Sequence, residues 1–184
     1  MRMALSTVAL FVLSPIVNAG PIADQFAHGF AAVPWGTSLA QVVEKYPGGG
    51  HFLTGGSACR IYSVQAEDPL LGIPRVGSMT LFGYGLDRKL DVMGIDIPYA
   101  QRNQLFKSLT RAFGPYAAMK EANGTIGYAW KPDAGIQLNV WETQDPDLGV
   151  VQVWIYGPSY TESNRCSPPA VSALGSPGPQ RSSR

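Results

Sequence analysis

Few residues of this chain have the types and spacing that catalysis or metal binding requires. The sequence contains two histidines, His28 and His51, and it has no HExxH motif, no GxSxG motif and no His/Cys metal-binding spacing. Because no histidine follows position 51, a catalytic triad would have to use one of these two. We interpret both as structural or exposed residues, and we predict no catalytic residue, no metal site and no cofactor.

Most of the clustered acidic residues are predicted to lie in turns. Asp87 and Asp91 flank a predicted hairpin turn, and Asp145 and Asp147 flank a proline in another. Aspartate is common in turns because its side chain hydrogen-bonds nearby backbone groups. A calcium loop would need more oxygen ligands at alternate positions than either group supplies. We therefore interpret both groups as turn-forming.

Two carboxylates lie instead within predicted strands. Asp96 belongs to an apolar run from Leu90 to Ile97, and Glu142 follows Trp141 in another strand. If the fold brought these two carboxylates together in a cleft, the pair could carry out acid/base chemistry. A hydrolase-like enzyme of unrecognised type that uses these carboxylates is therefore an alternative hypothesis.

Residues 1–19 have the pattern of a secretory signal peptide. Arg2 gives a basic start, residues 4–17 are mostly apolar, and Val17-Asn18-Ala19 is a small-residue cleavage site. The apolar run is shorter than the roughly 20 residues that a membrane span needs. We predict cleavage after Ala19 and a soluble periplasmic or secreted protein. The mature chain is predicted to have no transmembrane segment.

The two cysteines, Cys59 and Cys166, would both remain in the exported chain. Pairing is the default in an oxidising compartment, and the sequence has no CxxC motif that would indicate a reactive thiol. We predict a disulfide between them. It would close a loop of more than 100 residues, which stabilises a fold by about 4–5 kcal/mol in the chain-entropy model.

The formal charges of the mature chain balance. The full sequence has 14 basic and 13 acidic residues, and loss of Arg2 with the signal peptide leaves 13 of each. Binding to nucleic acid or to an anionic membrane by charge needs a concentrated basic patch. No run of like charges occurs in the sequence, and we therefore predict no nucleic-acid partner.

Three consecutive strands are predicted near the carboxyl end, at residues 125–131, 136–143 and 150–156, with turn-rich segments between them. Side chains alternate between the two faces of a strand. Ile136, Leu138 and Val140 therefore share one aliphatic face, and Val151 and its alternate neighbours do the same in the last strand.

The opposite side of these strands is predicted to be aromatic. Trp141, Trp154 and Tyr156 fall together there, and Tyr128 with Trp130 are candidates to join them. One interpretation is a second core layer, covered by the N-terminal segment or Trp35. The other is an exposed patch that binds a protein, a peptide or a sugar ring by stacking. We take Trp141, Trp154, Tyr156 and Tyr128 as the candidate binding residues.

Two helices are clearly marked. Ser38 with Gln41 forms a capping box before an apolar stripe that ends at Tyr46, and Pro47-Gly48 terminates that helix. A second helix is predicted from Tyr99 to Phe113, with Leu105 and Leu109 on its apolar face and Gly114-Pro115 as its stop signal.

The remaining strands complete a fold prediction. Residues 78–84 and 90–97 are predicted to form a hairpin, and segments near residues 52–53 and 60–64 are weaker strand candidates. We predict an α+β fold with an antiparallel sheet and two helices packed on one face. Because each helix precedes about three strands, a duplicated αβββ unit is possible. The predicted organisation is a signal peptide (1–19), one domain (20–158) and a disordered Ser/Pro-rich tail (159–184).

The start of the first helix carries a family resemblance. The segment from Trp35 to Val43, WGTSLAQVV, resembles small exported α/β proteins in which a WG-T/M-S-x-x-x-V helix start precedes an antiparallel sheet. The nearest named group is the β-lactamase-inhibitor-like fold, which includes the small lipoprotein of the outer-membrane β-barrel assembly machine. In the order of elements the resemblance extends over residues 35–157. It implies a binding or assembly module and assigns no site residue. Unlike that lipoprotein, this chain has Gly20, and no lipid-bearing cysteine, after the cleavage site.

These observations favour a small exported interaction protein over an enzyme. We expect it to act by protein–protein contact with an envelope or secreted partner. The hydrolase-like enzyme is one alternative, and a structural component of the cell envelope is the other.

Overall fold

A computed structural model of the chain describes residues 21–54, 59–75, 77–84, 88–120, 125–142 and 149–160. Within these ranges the chain forms three α-helices, a short 3-10 helix and one eight-stranded sheet. The helices are α1 (Pro21–Phe26), α2 (Leu39–Lys45) and α3 (Arg102–Phe113), and the strands are β1 (Gly50–Thr54), β2 (Cys59–Gln65), β3 (Met79–Tyr84), β4 (Leu90–Pro98), β5 (Tyr116–Lys120), β6 (Ile126–Trp130), β7 (Gln137–Glu142) and β8 (Val150–Tyr156). The chain is thus an α+β protein, as the sequence predicts.

The strand order of the sheet is β1-β2-β3-β4-β8-β7-β6-β5, and every neighbouring pair is antiparallel. The order reads as two meanders, β1–β4 and β5–β8, that meet between their last strands. α2 comes before the first meander in the chain, and α3 comes before the second. Four strands follow each helix, so the expected count of three was wrong.

Local sequence signals set the helix boundaries. The Ser38 side chain accepts a hydrogen bond from the backbone N–H of Gln41, whose side chain in turn accepts from the backbone N–H of Ser38. This is the predicted capping box, and it satisfies two backbone donors at the start of α2. α3 follows the 3-10 helix Tyr99–Gln101 and is capped by Gly114, whose positive φ of 79° favours glycine. None of the described helices is long and apolar enough to cross a membrane.

The main core lies on the aliphatic side of the strands. The predicted alternation is confirmed, because Leu138, Val140 and Val153 are fully buried in this cluster. Their neighbours on the two central strands, β4 and β8, join them. The helices contribute buried residues to the same cluster, namely Ile22, Ala23 and Phe26 of α1, Val42 of α2, and Leu105, Phe106 and Leu109 of α3.

A second, smaller cluster lies on the other side of the sheet. Its buried members are Ile61, Leu81, Val92, Trp154 and Tyr156. Trp141 and Tyr160 pack against it, and as far as the described residues go it contains no helical residue. We call this side of the sheet the aromatic face.

β5 was not predicted from the sequence. It forms one edge of the sheet and pairs with β6, with Ala118 opposite Tyr128. Four of its five residues are exposed, and the fifth, Met119, is half-buried. Apolar and polar residues do not alternate in Tyr-Ala-Ala-Met-Lys, so the usual sequence signal of a strand was missing.

Candidate binding face

The pairing register arranges the aromatic face as rows of side chains that run across the strands. In one row Trp141 lies opposite Gln152, which lies opposite Asp96. In the next row Trp154 stands between Asn139 and Gly94. A third row, at the level of Tyr156, continues through Val92 and Gly83 to Ile61. The face therefore carries indole rings, amides and one carboxyl within the span of three rows.

Trp154 lies flat across the neighbouring strand. A Cβ placed on Gly94 would lie 2.9 Å from the Cη2 and Cζ3 atoms of the Trp154 ring. The absence of a side chain at position 94 thus makes room for the indole on β4. Only 2% of Trp154 is exposed.

Trp141 repeats this arrangement in the other meander. It lies opposite Gly127, and a Cβ at position 127 would be 2.3 Å from the Cζ3 atom of the Trp141 ring. The ring therefore covers β6 and lies beside the row that leads to Met119 on the β5 edge. Unlike Trp154, Trp141 is only half-buried.

The aromatic face therefore has two differently covered parts. We call Ile61, Leu81, Val92, Trp154 and Tyr156 the closed half, because all five are buried. We call Ala117, Met119, Ala129, Asn139 and Trp141 the open half, because each of these five is half-buried or exposed. The open half lies on β5, β6 and β7 and reaches the sheet edge.

The indole N–H groups of both tryptophans are buried, and neither has a hydrogen-bond partner among the described residues. A buried donor without an acceptor costs about 1–3 kcal/mol relative to a satisfied one. Most buried polar groups in folded proteins are hydrogen-bonded. An acceptor from a further segment or molecule would satisfy either of these two donors.

Asp96 is the carboxyl of this face. It is 9% exposed, and its Oδ1 accepts a hydrogen bond of 3.1 Å from Nε2 of Gln152. Burial disfavours the charged form and raises the pKa of Asp96 from its ordinary 3.8 to about 6, although the hydrogen bond from Gln152 and the charge of Arg75 act in the opposite direction.

The structure brings three of the four predicted binding residues together. Trp141, Trp154 and Tyr156 all belong to the aromatic face. The grouping of Tyr128 with them was wrong. Tyr128 is paired with Val140, shares the face of that residue and packs against the main core.

Tyr128 belongs instead to an aromatic cluster beneath α3. Its ring lies 4.7 Å from that of Phe106 and 5.1 Å from that of Tyr116. Trp130 lies on the same side and donates its indole N–H to the carbonyl oxygen of Gly114. The neighbouring strand residues Gly127 and Ala129 are small, and this contrast was the signal that the large residues of β6 face the main core.

The structure does not bring Asp96 and Glu142 together, as the alternative enzyme hypothesis requires. Glu142 lies opposite Val151 of the main core, and its Oε1 accepts a hydrogen bond of 2.5 Å from Arg102 Nη2. This interaction is the first cause of a raised Arg102 pKa. Because Asp96 faces the aromatic side and Glu142 the opposite side, the two carboxylates form no acid/base pair.

The residues that were expected to cover the aromatic face pack against the main core instead. Trp35 and the N-terminal residues Phe26 and Phe30 pack with the main core, and Trp35 donates its indole N–H to the carbonyl oxygen of Phe26. From outside the sheet, the apolar residue that packs on the closed half within the described ranges is Tyr160. Its ring centroid is 4.6 Å from that of Tyr156.

The structure describes only some of the remaining candidate residues. His28 and His51 are exposed, and no group of three metal-ligating side chains occurs among the described residues. Asp87, Asp145 and Asp147 lie outside those ranges. Cys59 begins β2, while Cys166 lies outside the described residues, so the disulfide stays a prediction.

The exposed edge beside the open half is the feature that sequence reasoning missed. Tyr116 of β5 is 42% exposed, and Ile126 of the adjacent β6 is 41% exposed. Ala117 and Ala118 are exposed as well. Apolar side chains therefore flank an edge strand on both sides of the sheet.

Comparisons with models of protein families, with curated proteins and with solved structures gave no match to this chain.

Proposed function

We propose that this protein is an exported binding module that captures an envelope or secreted protein with the open half of its aromatic face. The observation that carries the proposal is Trp141, a half-buried indole laid flat over Gly127 with an unpartnered N–H group. An aromatic side chain that offers apolar area and one donor is typical of the energetic centre of protein interfaces.

The edge strand β5 supplies the second element of the proposed surface. An edge strand presents unpaired backbone groups that an extended segment of another protein can join. Met119 lies opposite Gly127, over which the Trp141 ring lies. A segment added to β5 would therefore place alternate side chains beside Met119 and Trp141.

The layered fold supports this choice of face. We infer that the helices cover one face of the sheet only, because their buried residues join Val140 and Val153 in the main core. A binding partner would then use the face that the helices leave uncovered.

The strand order, with a helix before each meander, supports a duplicated αββββ unit. The β-lactamase-inhibitor-like resemblance stays a prediction that rests on the segment from Trp35 to Val43.

The proposal includes export and the lack of enzymatic activity. Export rests on the signal-peptide pattern of residues 1–19. The proposed mode of action is contact and not catalysis, because the separation of Asp96 from Glu142 removes the carboxylate pair on which the enzyme hypothesis depended.

Site-specific crosslinking in cells tests the proposal. A photoreactive phenylalanine analogue is placed at Ala117 or Met119, and adducts are identified by mass spectrometry. We expect the same partner protein from both positions and a loss of that adduct when Trp141→Ala is added. Gln104, exposed on α3, is the matched control position and should give no such adduct.

Two results would contradict the proposal. One is an adduct that survives Trp141→Ala unchanged in a protein with unaltered circular dichroism. The other is an equal yield of the same adduct from position 104, which would indicate non-specific contact.

A further inference from the structure

The closed half of the aromatic face needs a cover that the described elements do not supply. Ile61, Leu81 and Val92 are each 2–3% exposed, as is Trp154. Outside the sheet, Tyr160 is the apolar residue of the described ranges that packs on them. One ring cannot bury five side chains spread over four strands.

We infer that the chain's own C-terminal segment, residues 161–184, lies across the closed half and is held there by a disulfide between Cys166 and Cys59. The inference shares only its face with the proposed function, and it needs no partner protein.

The direction of the chain at its last described residues supports this occupant. After β8, the backbone N–H of Tyr160 donates to the carbonyl oxygen of Gly157, which closes a turn. The Tyr160 ring then lies on Tyr156, a member of the closed half. The chain therefore reaches Tyr160, its last described residue, above the aromatic face and not on the helical side.

The distance to Cys59 fits the length of the segment. From Tyr156 the row passes through Val92 and Gly83 to Ile61, and Cys59 lies two residues beyond Ile61 on β2. Three strand spacings amount to about 14 Å. Cys166 comes six residues after Tyr160, and six extended residues span about 20 Å. A Cys59–Cys166 bond would thus draw residues 161–165 over the buried row.

The composition of the segment fits the unpartnered donor of the closed half. Residues 167–169 are Ser-Pro-Pro, and Ala170 and Val171 follow. Prolines keep their carbonyl acceptors but lack N–H donors, and proline-rich segments bind aromatic surfaces in an extended conformation. Such a segment offers acceptors to the indole N–H group of Trp154, which belongs to the closed half.

Formation of the disulfide requires an oxidant, and the export compartment can supply one. The two thiols lose two protons and two electrons, and a sulfur–sulfur bond forms between Cys59 and Cys166. A protein disulfide of a thiol oxidoreductase accepts the electrons and becomes a dithiol. The bond limits how far the segment can leave the closed half, so reduction would release it.

The test uses the whole mature protein labelled with 5-fluorotryptophan. Fluorine NMR with a soluble paramagnetic chelate reports how accessible each tryptophan is, and Trp154→Phe assigns the Trp154 resonance. Trp130 is the internal control, because it is also 2% exposed but belongs to the main core. Alkylation followed by mass measurement counts the free thiols.

We expect no free thiol in the oxidised protein and a Trp154 resonance that the chelate broadens as little as that of Trp130. Reduction, Cys59→Ser and Cys166→Ser should each increase the broadening of Trp154 and leave Trp130 unchanged. Two free thiols in protein exported to an oxidising compartment would overturn the inference. So would Trp154 protection that survives both serine variants, or protection that depends on protein concentration, which would assign the cover to a second copy.

Discussion

The two halves of the aromatic face follow one design but differ in their surroundings. In each half a tryptophan of one strand lies over a glycine of the next, Trp154 over Gly94 and Trp141 over Gly127. Trp154 is buried and Trp141 is half-buried. Residues of the same type in the same local geometry thus occupy one closed site and one open site.

The neighbours of each ring account for the difference. Trp154 stands at the centre of the sheet, flanked by the larger apolar residues Leu81 and Val92. Trp141 has Ala129 and the exposed edge strand β5 on its side. Small residues and an edge leave apolar area of the Trp141 ring exposed, and this is the area that the proposed partner would cover. The comparison teaches that position in the sheet, and not residue type, decides which tryptophan of this face is buried and which stays partly exposed.

The largest effect expected from this comparison is a difference between two alanine substitutions. Trp154→Ala should lower the free energy of unfolding by about 3–5 kcal/mol, because it empties a buried site. Trp141→Ala should lower it by about 1 kcal/mol, as for an average substitution. Urea denaturation of both variants measures this difference. Equal losses would mean that both rings are core residues.

The next effect concerns Asp96, which lies in the row of Trp141. Its pKa in the folded protein is about 6 and thus higher than its ordinary 3.8. Between these values the folded protein keeps a proton that the unfolded chain loses, so the free energy of unfolding should fall as pH rises from about 4 to 6. Asp96→Asn should remove this slope and raise stability at pH 7 by about 2–3 kcal/mol.

Urea denaturation at several pH values checks the Asp96 prediction. Asp24→Asn, an exposed substitution on α1, is the matched control and should keep the slope. If the pH dependence of the free energy of unfolding persists in Asp96→Asn, another titrating group causes it.

A smaller effect is expected from adding one methyl group beneath each ring. Gly94→Ala should destabilise by about 1–3 kcal/mol, because the confined Trp154 ring cannot move away from the new Cβ. Gly127→Ala should cost less than Gly94→Ala, because the half-buried Trp141 can swing outward. It should also abolish the crosslinked adduct from Ala117. Thermal unfolding measures the stability of both variants, and the crosslinking assay measures partner binding in Gly127→Ala. An intact adduct in Gly127→Ala would refute the role of the flat Trp141 ring.

The smallest change in stability is expected at the edge. Ala117→Lys places a charge on an exposed position of β5 and should alter the free energy of unfolding by no more than about 0.5 kcal/mol. The charge should nevertheless weaken the addition of a partner strand. Crosslinking from Met119 measures this loss, with Gln104→Lys on α3 as the charge-matched control. An undiminished adduct in Ala117→Lys would exclude the edge from the binding surface.

The sequence predicted what depends on local signals. The capping box at Ser38 and the aliphatic alternation of Leu138 and Val140 are local, and both are confirmed. Tyr128 was misplaced because alternation fixes faces only within one strand, whereas the face shared by two strands depends on their register. Glu142 has the same parity as Val140, so its side of the sheet could have been predicted.

The open half could not be predicted as a unit. It needs β5, whose Tyr-Ala-Ala-Met-Lys sequence does not alternate, and it needs the pairing of β6 with both neighbours. Exposure of Trp141 depends on where β7 lies in the sheet. These are long-range properties, and they arise only when two meanders assemble.

The strand order also bears on how the molecule folds. Among the eight described strands, every pair except β4–β8 joins strands that follow one another in the chain. The pairing of Val92 with Tyr156 closes a long loop, and its entropy must be overcome before the contact forms. We therefore expect the two meanders to form first and the closure of the β4–β8 seam to limit the folding rate. Trp154 lies on that seam, so we expect the closed half of the face to be completed last.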